Sequence, residues 1–245
     1  MDVLNNFNLK MPLISQNSTR SCLISVVIPV FNEEDVLLIC HRRLSSVLET
    51  LETKAEILFV NDGSTNQKTP PMLEAICRSD PRVSVLELSR NFGKEAAMSA
   101  GLDHANGEAV IIMDADLQDP PELIPMMVSE WQQGYESVYM RRRSRKGETV
   151  IKKLTAYLYY RLLNKLSPIH IPADVGDFRL LSRRAVEALK QLPERTRYMK
   201  GLFSWIGFSQ KELLYDRESR AAGSTQWKYR SLLRLSLDGL TSFST

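Results

Sequence analysis

Long apolar runs are missing from this chain. Nowhere in its 245 residues do about 18 to 20 consecutive apolar side chains occur, so no stretch of it is suited to cross a bilayer as a helix. Its first residues also lack the compact apolar core of a secretory leader. Any membrane contact made by this sequence is therefore expected to be peripheral. Cysteine is scarce: Cys22, Cys40 and Cys77 are the only three. They are an odd number, far apart, with no Cys-x-x-Cys pair and no matching histidine spacing, which argues against a disulfide framework or a zinc site and fits a reducing compartment. One-signed charge is lacking too. The 32 Lys and Arg nearly balance the 29 Asp and Glu, leaving +3, too little to single out nucleic acid as a partner. The Gly-x-x-x-x-Gly-Lys-Ser/Thr loop of nucleoside triphosphatases is absent.

What is present is enough apolar residue, 43%, to build a core. Residues 1–22 show no clear period and are read as an extension outside the fold. From Ile24 the pattern becomes regular. The apolar run Ile24 to Val30 predicts a strand, and Val36, Leu37, Cys40, Leu44, Val47, Leu48 and Leu51 recur at helical spacing within Glu34 to Glu52. Strands follow at Glu56 to Val60, Val83 to Leu88 and Ala109 to Met113, alternating with helices that open at Pro70 or Pro71 and run through Ala96 to Ala105. Such alternation predicts an α/β domain with a mainly parallel central sheet flanked by helices. Ligands in these sheets sit beyond the carboxyl ends of the strands. Asn32-Glu33-Glu34, Asn61-Asp62-Gly63-Ser64 and Asp114 to Gln118 all fall there.

After about residue 140 the pattern loosens. A basic run, Arg141 to Lys146, precedes a helix expected near Val150 to Leu166, then a turn-rich stretch, Asp177-Phe178-Arg179, a short helix and strand-like pieces to Tyr215. Arg230, Arg234 and Asp238 share one face of a final amphipathic helix, with Leu233, Leu237 and Leu240 on another. That helix suits docking on the core and a bilayer interface alike.

Asp114 and Asp116 are the sharpest chemical signal. Residues i and i+2 of an extended segment face the same way roughly 7 Å apart, so two carboxylates at a strand end converge on one hard cation and the phosphates it carries. Gln118 adds a neutral oxygen. A turn and helix cap before Pro120-Pro121 accounts for the same residues without a metal. Asp62-Gly63-Ser64 offers a carboxylate and a sharp turn suited to a nucleoside contact, or an ordinary turn. Glu33 and Glu34 also suit a helix dipole alone.

Five segments taken together, in order, resemble the inverting family-2 glycosyltransferases: Ile28 to Glu34, Val60 to Ser64, Ser89 to Lys94, Asp114 to Glu122 and Asp174 to Arg179. Within that family they are most like the subgroup of dolichyl-phosphate mannose synthase and the bacterial bactoprenol glucosyltransferases. The resemblance runs from about Ile24 onward. It implies a GT-A (nucleotide-diphospho-sugar transferase) fold over residues 23–227, followed by a juxtamembrane amphipathic helix over 228–245. It implies that Pro29, Phe31, Glu33 and Asp62 hold the donor nucleoside. Asp114, Ala115 and Asp116 would meet the donor diphosphate, with Asp114, Asp116 and Gln118 as ligands of Mg2+ or Mn2+, and Arg142, Lys200 and Arg220 as phosphate or acceptor contacts. The reaction implied is inverting transfer of a hexose to a polyprenyl phosphate, giving a lipid-linked sugar for cell-envelope glycan modification; UDP-glucose is the expected donor, with UDP against GDP and glucose against mannose or another sugar left open by the sequence.

A phosphate monoester with a second pKa near 6 is already largely dianionic at pH 7. Asp177 is therefore a candidate base or orienter, with Asp116 and Arg142 as the other catalytic candidates; an ion pair with Arg179 is the structural alternative for Asp177. The partners expected are a nucleotide diphosphate sugar, a polyprenyl phosphate lipid and a membrane surface, without nucleic acid, and a homo-oligomer is left open. The place expected is the cytoplasmic face of the cell membrane, peripheral or anchored by spans beyond residue 245. Two departures stand out: Asn61 replaces the first Asp of Asp-Asp-Gly-Ser, and Gln226 replaces a Lys usual in the family. The competing readings are a transferase with a soluble or polysaccharide acceptor and a non-catalytic nucleotide-sugar-binding protein. The Gln-x-x-Arg-Trp of processive synthases is absent.

Overall fold

A computed structural model describes residues 22–143, 161, 172, 175–192, 194, 197–216 and 218. The extension expected over residues 1–22 lies outside these apart from Cys22, and the helix expected near Val150 to Leu166 lies outside them apart from Arg161. The helix expected over 228–245 also lies outside the described residues.

The apolar run read first in the sequence forms the centre of the sheet. Strand β1 (Leu23–Val30) pairs in parallel with β2 (Lys54–Asn61) on one side and β4 (Ala109–Ile112) on the other, and β3 (Val83–Glu87) extends β2 in parallel. Val26, Val27 and Ile28 are each fully buried, because a strand between parallel neighbours is covered by helices on both faces. Beyond β4 the direction reverses. Strand β6 (Val175–Ser182) lies antiparallel between β4 and β5 (Ser137–Arg142), and β7 (Gln210–Tyr215) runs parallel to β5 at the edge. The order is β3-β2-β1-β4-β6-β5-β7. The sheet is mainly parallel, as the alternation implies, but an interior antiparallel strand over Val175–Ser182 is not what the expected turn-rich stretch suggested.

Alternation along the strands sorts the helices. Ile24, Val26, Ile28, Ile57, Phe59 and Ile111 face α1 (Leu37–Leu48), α2 (Thr69–Ser79) and α4 (Ile124–Gln132), the last entered through a 3-10 turn at Pro121–Leu123. Val27, Val60, Val110, Ile112 and Leu181 face α3 (Lys94–His104), α5 (Arg183–Lys190) and α6 (Met199–Trp205). Each such side chain removed from water contributes roughly 1.5–3 kcal/mol. Helix α3 lies close on the sheet at Gly101, where an added Cβ would meet Val27 Cγ1 at 2.2 Å. That contact delivers the helix's first residues, Lys94 and Glu95, to the carboxyl ends of β1 and β2. Helix α1 starts at Leu37 rather than near Glu34; the chain leaves β1 through a turn over residues 34–36, in which the Glu33 carbonyl accepts from the Val36 and Leu37 N–H groups. Among the described residues no helix is long and apolar enough to cross a membrane.

Candidate functional site

The loops after β1, β2 and β3 are tied together by side chains standing in for backbone partners. Asn32, at φ 55°, accepts at Oδ1 from the Thr65 and Asn66 N–H groups (2.9 and 3.1 Å), while its own N–H donates to Ser64 Oγ at 2.9 Å. Asn tolerates the left-handed region better than most residues. The Asp62 carboxylate accepts from Phe92 N–H at 2.7 Å and Gly93 N–H at 2.9 Å. Burial raises its pKa, opposed by those two N–H groups and by Arg90. Gly63 sits at φ 62°, and a Cβ there would lie 2.3 Å from the Arg90 carbonyl carbon, so no other residue fits without moving that loop. Asn61 also explains itself. It stands in register with Glu87 and donates to that carboxylate at 2.7 Å, while its Oδ1 accepts from Ser64 N–H at 3.1 Å. An aspartate here would face Glu87 with like charge. Pro29, Phe31 and Glu33 lie half-buried at the same end of the sheet.

At the end of β4 the chain does not stay extended. Ala115 and Asp116 form a turn, and Leu117 takes φ 58°, a strained conformation for a branched side chain that costs about 1–3 kcal/mol. Gln118 N–H donates to Asp116 Oδ1 at 3.1 Å. Asp114 therefore turns toward α3, whereas Asp116, nearly buried, lies close enough to Cys40 of α1 that its charge joins burial in pushing that thiol up to about 12. The two carboxylates are gathered by a turn and not by the alternation of a strand. Asp114, Asp116 and Gln118 offer hard oxygens suited to a small divalent cation that completes its shell with phosphate and water. Among the described residues no group of three or more His, Cys, Asp or Glu is placed to hold a metal ion.

Lys94, absent from the expected site residues, is the centre of the cluster. Its Nζ lies 2.5 Å from Asp114 Oδ1 and 2.6 Å from Asp177 Oδ2. The reversed strand makes this contact: Ile112 of β4 is in register with Arg179 of β6, so continuing two residues each way sets Asp114 beside Asp177. Burial lowers the Lys94 pKa, yet Asp114 and Asp177 outweigh it and hold the ammonium above its ordinary range. Burial likewise acts against ionised Asp177, but Lys94 and Lys200 hold it well below the usual carboxylate range. The expected Asp177–Arg179 neighbourhood is real, though Arg179 is chiefly a buried cation stacked 3.7 Å from the Phe203 ring, its pKa lowered to about 10 by burial and partly restored by Asp177. A lysine opening a helix is unfavourable for the helix dipole; that misplacement was the available sign of a carboxylate partner.

Arg142 ends β5 opposite Tyr215. The Tyr215 hydroxyl donates to Asp119 Oδ1, its pKa raised by burial and by Asp119 and lowered by Arg142. Arg142 is thus joined through Tyr215 to the loop that carries Asp114, Asp116 and Gln118. Lys200, on α6, bears electrostatically on Asp177 and Glu95. Arg141 and Arg143, part of the basic run, are paired with Glu212 at 3.2 Å and Asp216 at 3.4 Å, so these two are not a bare anionic-surface contact. Arg220, Gln226, Arg145 and Lys146 lie outside the described residues.

Comparison with known proteins agrees with this placement. The family described as glycosyl transferase family 2 matches residues 25–190. The chain is 50% identical over 221 residues to an uncharacterized glycosyltransferase of Synechocystis sp., covering 90% of this chain and 69% of that relative. It is 45% identical over 222 residues to the bactoprenol glucosyl transferase of Shigella phage SfV, covering 91% and 72%. Among solved structures it resembles glucosyl-3-phosphoglycerate synthase from Mycobacterium tuberculosis, in complex with Mn2+, UDP-glucose and phosphoglyceric acid, with a TM-score of 0.59 and 21% identity over 88% of this chain and 76% of that one. The strand order, the convergence of the loops on one edge of the sheet, and these likenesses establish that the chain belongs to glycosyl transferase family 2 and is a glycosyltransferase of the GT-A fold.

Proposed function

We propose that the protein transfers a hexose, glucose from UDP-glucose, to a polyprenyl phosphate with inversion at the anomeric carbon, at the cytoplasmic face of the membrane and with Mg2+ or Mn2+. The observation that carries the reading is the Lys94 bridge between Asp114 and Asp177, which joins the donor-diphosphate end of the crevice to the residue proposed to face the acceptor. The bactoprenol glucosyl transferase relatives support the acceptor. UDP-glucose with Mn2+ in a protein of the same fold is in keeping with the donor and the ion.

In this reading Pro29, Phe31, Glu33 and Asp62 line the nucleoside end, and Asp114, Ala115 and Asp116 meet the diphosphate. Asp114, Asp116 and Gln118 hold the divalent ion, which when bound neutralises charge developing on the departing diphosphate. Lys94 supplies a fixed positive charge at the same place. The acceptor phosphate, largely dianionic at pH 7, needs no strong base, and Asp177 is already engaged by the Lys94 ammonium at 2.6 Å. Its role is to orient: its ion pair fixes the Lys94 ammonium toward the incoming phosphate, while Lys200 bears on it electrostatically. Arg142 adds positive charge on the phosphate path; Arg220, a phosphate contact expected from the family resemblance, lies outside the described residues. The product is a lipid-linked sugar suited to later transfer onto an envelope glycan.

The test supplies purified protein with undecaprenyl phosphate in detergent, Mg2+ or Mn2+, and a panel of UDP- and GDP-sugars, and follows nucleoside diphosphate release and lipid product by mass. A glucosylated lipid of inverted configuration from UDP-glucose supports the reading. Transfer only to a soluble phosphate such as phosphoglycerate, or donor binding without transfer to any acceptor, overturns it.

A further inference from the structure

Helix α6 carries Lys200 but begins poorly. Its N-cap residue, Tyr198, makes no side-chain capping hydrogen bond, which leaves the first N–H groups of the helix in need of partners from elsewhere. One comes from another helix: Glu95 Oε2 accepts from Met199 N–H at 3.0 Å. Glu95 is the second residue of α3, next to Lys94, so a single short stretch of chain holds both the Asp114–Lys94–Asp177 network and the start of α6. Met199 itself is fully buried, and Ser99, one turn along α3 from Glu95, lies with its Oγ 3.7 Å from Met199 Sδ. Four residues further along α6, Phe203 carries the Arg179 guanidinium on its ring at 3.7 Å. Asp177 and Arg179 share one face of β6, so α6 is gripped at its first turn by α3 and in its middle by the strand that bears Asp177.

We propose that Glu95 is a positioning residue for the acceptor end of the site: its hydrogen bond to Met199 N–H fixes the first turn of α6 and thereby sets Lys200 against Asp177. The inference rests on the reading of Lys200 and Asp177 given under the proposed function. The charged groups that act on Glu95 are Asp177 and Arg179 from β6, Lys200 from α6 and Lys94 from its own helix. Burial, followed by the Asp177 charge, pushes the Glu95 carboxyl up to about 7. The bond to Met199 does not require the charge, since an amide carbonyl at the same place accepts as well. That separates geometry from ionisation.

Two variants and two readouts test the idea. Glu95→Ala removes the acceptor atom, whereas Glu95→Gln keeps it. The first readout needs no acceptor: the rate at which Lys200 is acetylated by dilute acetic anhydride, measured by peptide mass spectrometry on protein checked for folding by circular dichroism. Glu95→Ala is expected to raise that rate ~5- to 10-fold, the loss of one net hydrogen bond, and Glu95→Gln to leave it within about twofold of wild type. The second is kinetic: Glu95→Ala raises the KM for undecaprenyl phosphate by a similar factor, with donor affinity unchanged, and Glu95→Gln restores it. Unchanged Lys200 labelling in a folded Glu95→Ala variant overturns the proposal, as does an equal effect of Gln and Ala. If the wild-type protein makes no lipid product, the proposed acceptor fails while the labelling readout still decides the role of Glu95.

Discussion

A lysine set between two carboxylates is the most informative residue in the molecule. Removing it by Lys94→Met leaves Asp114 and Asp177 facing each other without their common counter-charge. Both carboxylates retain some solvent, so the cost in stability is expected to be about 1–3 kcal/mol, below that of a fully buried pair, with a fall of roughly 10²–10³ in kcat; thermal melts and steady-state kinetics read the two separately. Asp116→Ala is expected to abolish transfer and weaken ion-assisted donor binding while the melting temperature shifts little, and unchanged turnover in that variant would remove Asp116 from the ion site. Glu95 gives a pH signature. Its pKa is raised in the folded protein to about 7 from an ordinary value near 4.3, so the folded state binds this proton more tightly than the unfolded chain does. The contribution is full below about pH 4 and is lost as pH rises toward 7. Between those limits wild type should lose melting temperature relative to Glu95→Gln.

Among the elements, the first four strands and three helices were legible because buried parallel strands are nearly uniform apolar runs and their helices keep a clean period. Strand β6 was not. Val175–Ser182 places Gly, Asp and Arg in the interior of a sheet, and a strand that carries chemistry in its middle reads as a loop. The site followed the same division: the residues after β1, β2 and β4 stood out as polar breaks, and Lys94 closed the Ser89 to Lys94 segment, but its partner Asp177 and the role of Glu95 became visible only once β6 brought Asp177 across. The seat of α3 can be tested directly. Gly101→Ala forces a Cβ to 2.2 Å from Val27 Cγ1 and should cost about 1–3 kcal/mol. Val27→Ala creates room at the same contact, so the double variant should lose less than the two single changes summed, a coupling visible in denaturant melts.

At the scale of the whole molecule, a sheet with its polar loops gathered on one edge separates stability from chemistry. Chelation with EDTA should stop transfer yet leave the melting temperature of the donor-free protein unchanged, because in the proposed site Asp114, Asp116 and Gln118 would hold the ion together with the donor diphosphate. Residues 1–22 are proposed to stand outside the domain, and β1 begins at Leu23; removal of residues 1–21, which spares the Cys22 carbonyl that accepts from Lys54 N–H, is expected to leave the melt unchanged. The reversed strand has a further consequence, which concerns synthesis. Strand β4 is complete at Ile112 and β5 at Arg142, but the strand that joins them is made only when the ribosome reaches residues 175–182. Until then the nascent chain holds a half-sheet whose outer edge, all apolar, has no neighbour, the situation in which newborn proteins pair with one another. Chaperone capture should therefore rise on ribosome-bound chains ending between β5 and β6 and fall once β6 has emerged.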